Sequence, residues 1–129
     1  MNIDELDDRD ILRLLAATRT FLGATLLLMP RRALGWWAGD KDPSVTSRLI
    51  ATGFGARDIA IGLGLLMALE DGKDVAPWVQ AGVISDAGDF LGTVGSFKQL
   101  RPWTRWTWLL TAGSAAVMGA RILANLDED

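Results

Sequence analysis

Arg57 and Asp58 stand side by side inside an otherwise apolar run, Ile50-Ala-Thr-Gly-Phe-Gly-Ala-Arg-Asp-Ile-Ala-Ile-Gly-Leu-Gly-Leu-Leu-Met. A helix in hydrocarbon carries such charges only where partners exist. The next apolar run supplies two, Asp86 and Asp89. The chain must therefore turn its charges inward and its aliphatic side chains outward, as a small membrane protein with a polar interior does.

Four apolar segments organise the chain: Ile11 to Met29, about Leu49 to Leu69, Ala76 to Phe97 and about Trp106 to Leu126. Each is close to the ~20 residues that a helix needs to cross ~30 Å of hydrocarbon. Asp42-Pro43-Ser44 is a helix start well before the second apolar zone. The expected helices are thus about 11–29, 44–69, 76–97 and 104–126. No segment alternates apolar and polar residues with period two, which argues against strands. The expected fold class is all-α, a four-helix transmembrane bundle running up-down-up-down, in one domain spanning 1–129.

Composition narrows the chemistry. The chain has no Cys, His or Tyr, so disulfides, His-held haem, zinc chemistry and Ser-His or Cys-His nucleophile pairs are excluded. No catalytic residue, cofactor or metal is assigned, and the chain is read as not an enzyme. Gly53-Phe-Gly-Ala-Arg-Asp lacks the Gly-Lys-Ser/Thr ending of a phosphate loop. A net charge of -3 without a basic stripe argues against nucleic acid as a partner.

Basic residues fall in alternate connections. Arg31, Arg32, Lys41 and Arg48 lie between the first two segments, and Lys98, Arg101 and Arg105 between the last two. The acidic start Asp4-Glu5-Leu6-Asp7-Asp8, the Glu70-Asp71-Gly72-Lys73-Asp74 turn and the Asp127-Glu128-Asp129 tail fall on the other side. The positive-inside rule places both basic connections in the cytoplasm and both termini outside, in a multi-pass cell-membrane protein. An acidic start also argues against a secretory signal. Arg outnumbers Lys ten to three, a bias that suits a GC-rich bacterial genome and hence a bacterial inner membrane. Trp36, Trp37, Trp103 and Trp106 cluster on the basic side as interfacial anchors, with Leu34-Gly-Trp-Trp lying flat among headgroups.

Small residues recur at every fourth position: Thr52, Ala56, Ala60, Gly64 and Ala68, then Gly88, Gly92 and Ser96, then Ala112, Ala116, Ala120 and Ala124. Such stripes are expected to let helix backbones approach closely.

Counted at ~1.5 Å per residue from the outer ends, Arg19, Asp86, Asp58, Arg57 and Asp89 fall at depths of about 12 to 20 Å. Five ionisable groups on three helices then share one layer. Asp86 and Asp89 face the same way, whereas Arg57 and Asp58 point about 100° apart. Arg57 is expected to meet a third-helix carboxylate and Asp58 to turn towards Arg19. Arg19, Arg57, Asp58, Asp86 and Asp89 form the candidate polar network, or ligand or ion site. Each Asp or Arg at a helix centre costs about 2.5 to 3.5 kcal/mol on the insertion scale, so the third segment should insert poorly alone.

The segment Arg48-Leu-Ile-Ala-Thr-Gly-Phe-Gly-Ala-Arg-Asp-Ile-Ala-Ile-Gly-Leu-Gly-Leu-Leu, followed by Asp86 and Asp89, resembles small bacterial and fungal four-helix membrane proteins grouped as domains of unknown function. These share a Gly-Ala-Arg-Asp/Glu core followed by a Gly-rich half-helix. The resemblance implies a fold and no substrate.

Two Arg and three Asp that neutralise one another suit a network fixing helix register. The expected function is that of a structural, accessory or interaction subunit, with the lipid bilayer and a membrane-protein partner or a second copy as its contacts. The alternative is a carrier or channel for protons or a small polar solute through the intramembrane carboxylates. No broken helix or inverted repeat of the transporter kind is visible. A soluble bundle burying the same charges is a third reading, left open by a mean hydropathy of only +0.21.

Overall fold

The computed structural model describes residues 7–127, so Asp4, Glu5, Glu128 and Asp129 of the acidic ends lie outside the described residues. Of the residues described, 83% are helical and none is in a strand. Five helices follow one another: α1 Asp8–Leu28, α2 Pro30–Trp37, α3 Val45–Glu70, α4 Ala76–Gly95 and α5 Pro102–Leu126.

The expected four-helix transmembrane bundle running up-down-up-down is thereby corrected on two counts. The described helices number five, and only three of them, α1, α3 and α5, are long and apolar enough to cross a membrane. The additional helix begins at Pro30. Sterics before proline push Met29 out of the helical region, to φ -135° and ψ 53°. Pro30 then seats as the first residue of α2, where its missing N–H costs no bond. Helix α4 falls short as a span because Gln80, Asp86 and Asp89 interrupt its apolar residues.

The remaining boundaries follow local chemistry. Ser44 caps α3 by accepting the Ser47 N–H at 3.0 Å. Gly39 at φ 67° ends α2 in the left-handed region, and the Asp40 N–H closes the turn on the Leu34 carbonyl at 3.1 Å.

Helix α1 packs along α3 and α4 along α5, while the two pairs meet each other more sparingly. Leu12, Ala16, Gly23 and Leu26 form the buried row of α1, with Arg19 in register among them. On α3 the row is Ala51, Gly55, Gly62, Leu65 and Leu69, with Asp58 in register. Both rows advance by alternate steps of four and three, the 3.5-residue repeat of helices that wind around one another. A strict four-residue stripe instead drifts about 40° per step on a 3.6-residue helix. Ala56 and Ala60 are accordingly exposed, and a Cβ on Gly88 or Gly92 would meet no atom within 4 Å. Those four positions are not packing contacts, although Gly64, Ala68 and Ala112 of the same stripes are packed or buried.

One end of the molecule closes on an apolar cluster of Leu12, Ala16, Leu65, Leu69, Val79 and Ile122. Asn125 donates to Asp8 at 3.2 Å and Arg9 to the Leu69 carbonyl at 2.9 Å, so the start of α1 and the end of α5 lie together there. The opposite end holds a smaller cluster, Leu26, Ala33 and Ala51, packed by Leu34 and Trp37.

The distribution of side chains is inverted relative to a water-soluble bundle. Small residues and charges occupy much of the interior, whereas Leu14, Phe21, Leu28, Leu91, Leu110 and Val117 are 64–75% exposed. So extensive an apolar exterior calls for lipid or a partner as its solvent.

Candidate functional site

Arg19 sits in the α1 row opposite Asp58 of α3, and the 3.5-residue seam brings the two side chains together at 3.0 Å. The other end of the same guanidinium reaches across to α4, where Nη2 donates to Asp86 Oδ2 at 2.5 Å. Arg57 extends from α3 to grip both oxygens of Asp89, at 3.2 Å from Nη1 and 2.9 Å from Nη2. Its Nε also donates to Asp58 Oδ1 at 3.1 Å. The five groups form one continuous chain, Asp86–Arg19–Asp58–Arg57–Asp89, which starts and ends on α4. Charge-assisted bonds of this kind, one of them bidentate, are the strong members of the hydrogen-bond family.

The structure brings together all five candidate residues, with Arg57 on a third-segment carboxylate and Asp58 on Arg19. The expectation left open which carboxylate Arg57 meets: it is Asp89, while Asp86 is taken by Arg19, because α1 packs on α3 and places Arg19 between Asp58 and Asp86. One feature differs from the expectation: Arg57 and Asp58 touch, although their Cα–Cβ directions diverge. The long Arg side chain folds back over the intervening angle, with its guanidinium 4.9 Å from the Phe54 ring centre. Phe54 was not singled out by the sequence, where it looks like any other apolar residue of the segment.

Exposure separates the two Arg groups. The side chains of Arg19, Asp58 and Asp86 are 13% exposed, whereas Arg57 is 30% and Asp89 22% exposed. The less buried pair opens into a cavity of about 460 Å³ between the two helix pairs, lined along α3 by Ile50 and Phe54 and along α4 by Gly88 and Gly92. Gly88, Gly92 and Ser96 thus form a wall where close helix contact was expected. A second cavity, of about 30 Å³, adjoins Arg19 and Asp86 and has the volume for a water molecule. Among the described residues, no three acidic side chains converge in a metal-binding cluster.

The tryptophans divide. Trp36, Trp103 and Trp106 stay exposed at the basic end, Trp106 packing edge-on against Phe97 at 5.6 Å. Trp37 turns inward and meets Trp108 at 6.1 Å.

Comparisons of the chain with protein-family models, with curated proteins and with solved structures find no match in any of the three. The functional reading therefore rests on the geometry.

Proposed function

We propose that this chain is a membrane-embedded structural, accessory or interaction protein without catalysis, whose Arg/Asp layer fixes how α1, α3 and α4 assemble. The observation that carries the reading is the closed pairing of the layer: each of the five ionisable side chains is engaged by at least one of the others. Breaking one member of a buried pair is far more damaging than never having had the pair. Such a layer selects one helix register over its neighbours. The apolar exterior supports the membrane setting.

The proposed orientation has the basic end in the cytoplasm, which puts the start of α1 and the end of α5 outside. It is supported by seven of the thirteen basic residues falling in the two connections at one end and by the Asn125 to Asp8 hydrogen bond at the other. A bacterial inner membrane is proposed from composition, and kinship with the small unknown-function membrane family from Gly55-Ala-Arg-Asp.

One observation favours a second reading. Arg57 and Asp89 face the large cavity, as a polar solute or proton site would require. Flux in proteoliposomes decides between the two. Proton or solute movement lost in folded Asp89→Asn would establish transport, whereas vesicles no leakier than empty ones support the assembly role. Membrane retention through high-salt and alkaline washes tests the setting. Recovery without detergent would overturn it.

A further inference from the structure

The cavity between α3 and α4 is a space that the ion-pair layer borders but does not fill and that helix packing leaves open. Its volume of about 460 Å³ lies in the range of about 300 to 1,000 Å³ seen for small-molecule sites. From Ser47 to Asp58 its α3 wall runs ~16 Å along the helix axis, from the basic end down to the layer. Ile50, Phe54, Gly92, Leu100 and Trp108 make the walls largely apolar. The charges at its floor, Arg57, Asp58 and Asp89, are paired with one another.

The mouth has the opposite character. Of the basic residues in the two connections at this end, Arg31 is paired with Asp42 and Arg105 donates to the Phe97 carbonyl, while Arg101 stands next to the cavity. The Arg101 guanidinium lies beside Gly39, where a Cβ would come within 3.1 Å of its Nη1, and Ala38 and Leu100 on either side line the cavity. Arg101 makes no ion pair among the described residues.

We propose that this groove holds one acyl chain of a phospholipid with an anionic headgroup, whose phosphate rests at the basic mouth. The assignment rests on the reading of the chain as membrane-embedded. Apolar walls favour a hydrocarbon chain over water, which needs several polar partners to settle. The Arg101 guanidinium at the mouth, unpaired among the described residues, attracts an anionic headgroup and repels a cationic amphiphile. A partner helix is too bulky for a space of this volume, since a helix with its side chains is about 10 Å across.

The test is native mass spectrometry of the full chain released from vesicles of phosphatidylcholine and phosphatidylglycerol in equal amounts. One retained phosphatidylglycerol per chain is expected. Gly92→Leu puts a side chain into open groove space and should lower retention about tenfold, the equivalent of two displaced methylenes. Gly88→Leu provides a second filling variant should the first not fold. Gly53→Leu also meets open space but lies outside the groove, and should retain the lipid. Arg101→Gln should reduce the preference for phosphatidylglycerol while a lipid remains bound. Equal retention in the filled and parent chains, equal binding of the two lipids, or a dimer whose second copy shields the groove would each overturn the assignment. A chain that stays in washed membranes yet retains no phosphatidylglycerol overturns the groove alone, and one released by alkaline washing overturns the membrane reading with it.

Discussion

Gly23 of α1 and Gly55 of α3 face each other across the seam so closely that a Cβ on either would lie 2.6 Å from the other's carbonyl oxygen. That approach lets Arg19 and Asp58, one turn away, meet at 3.0 Å. Gly55→Ala is expected to force the helices apart and destabilise the fold by about 1 to 3 kcal/mol, as overpacking does. Gly88→Ala, where a Cβ meets nothing within 4 Å, should be neutral or gain up to ~1 kcal/mol in helix propensity. Thermal unfolding in detergent compares them. Equal midpoints for the two variants would remove the seam from the account.

Arg57 holds Asp89 with two bonds and Asp58 with a third. Arg57→Ala strands Asp89 and should cost about 3 to 5 kcal/mol. Replacing both partners, in Arg57→Leu with Asp89→Leu, removes the uncompensated charge and should restore much of that loss, since Asp58 keeps Arg19. A double-mutant cycle on unfolding free energy measures the coupling. A double variant as unstable as the single one would show that Arg57 does not act through Asp89.

Arg19 is expected to matter more than Arg57. It is less exposed, 13% against 30%, and it alone pairs with Asp86 among the described residues. Arg19→Gln should therefore lower the unfolding midpoint further than Arg57→Gln does. Asp86→Asn added to Arg19→Gln should recover part of the loss by removing the stranded charge. An Arg57→Gln variant that unfolds first would reverse this order.

The charges were legible in the sequence because five ionisable residues stand out against apolar surroundings, and counting along a helix gives their depth. Depth selects a layer but not a neighbour. Asp86 went to Arg19 because α1 packs on α3, and nothing in the spacing of Asp86 and Asp89 encodes that choice. Helix α2 was hidden because Pro30 closes one helix and opens another in a single residue. The packing seams were missed for a reason of period: small residues at every fourth position are easy to see, whereas winding helices meet every 3.5 residues. Read that way, Gly23, Gly55 and Gly62 fall into the rows of Arg19 and Asp58. The large cavity had one sequence signal, Gly88, Gly92 and Ser96, which resembles a contact face until the neighbouring helix is found to stand off.

Helix α4 gives the last prediction, because its two carboxylates both hold it in place and deny it independence. As an isolated segment in a membrane-insertion assay, α5, which carries no charged residue from Trp106 to Ala120, should insert while α4 should not, since each Asp near a helix centre costs about 2.5 to 3.5 kcal/mol. Leucine at both positions, Asp86→Leu with Asp89→Leu, should convert α4 into an inserting segment. In the whole chain the same double change has the opposite consequence, leaving Arg19 without Asp86 and Arg57 without Asp89. Gain of insertion alone together with loss of stability in the full fold would show that α4 is held by the Arg side chains of α1 and α3. Efficient insertion of unmodified α4 by itself would show instead that the layer is not what retains it.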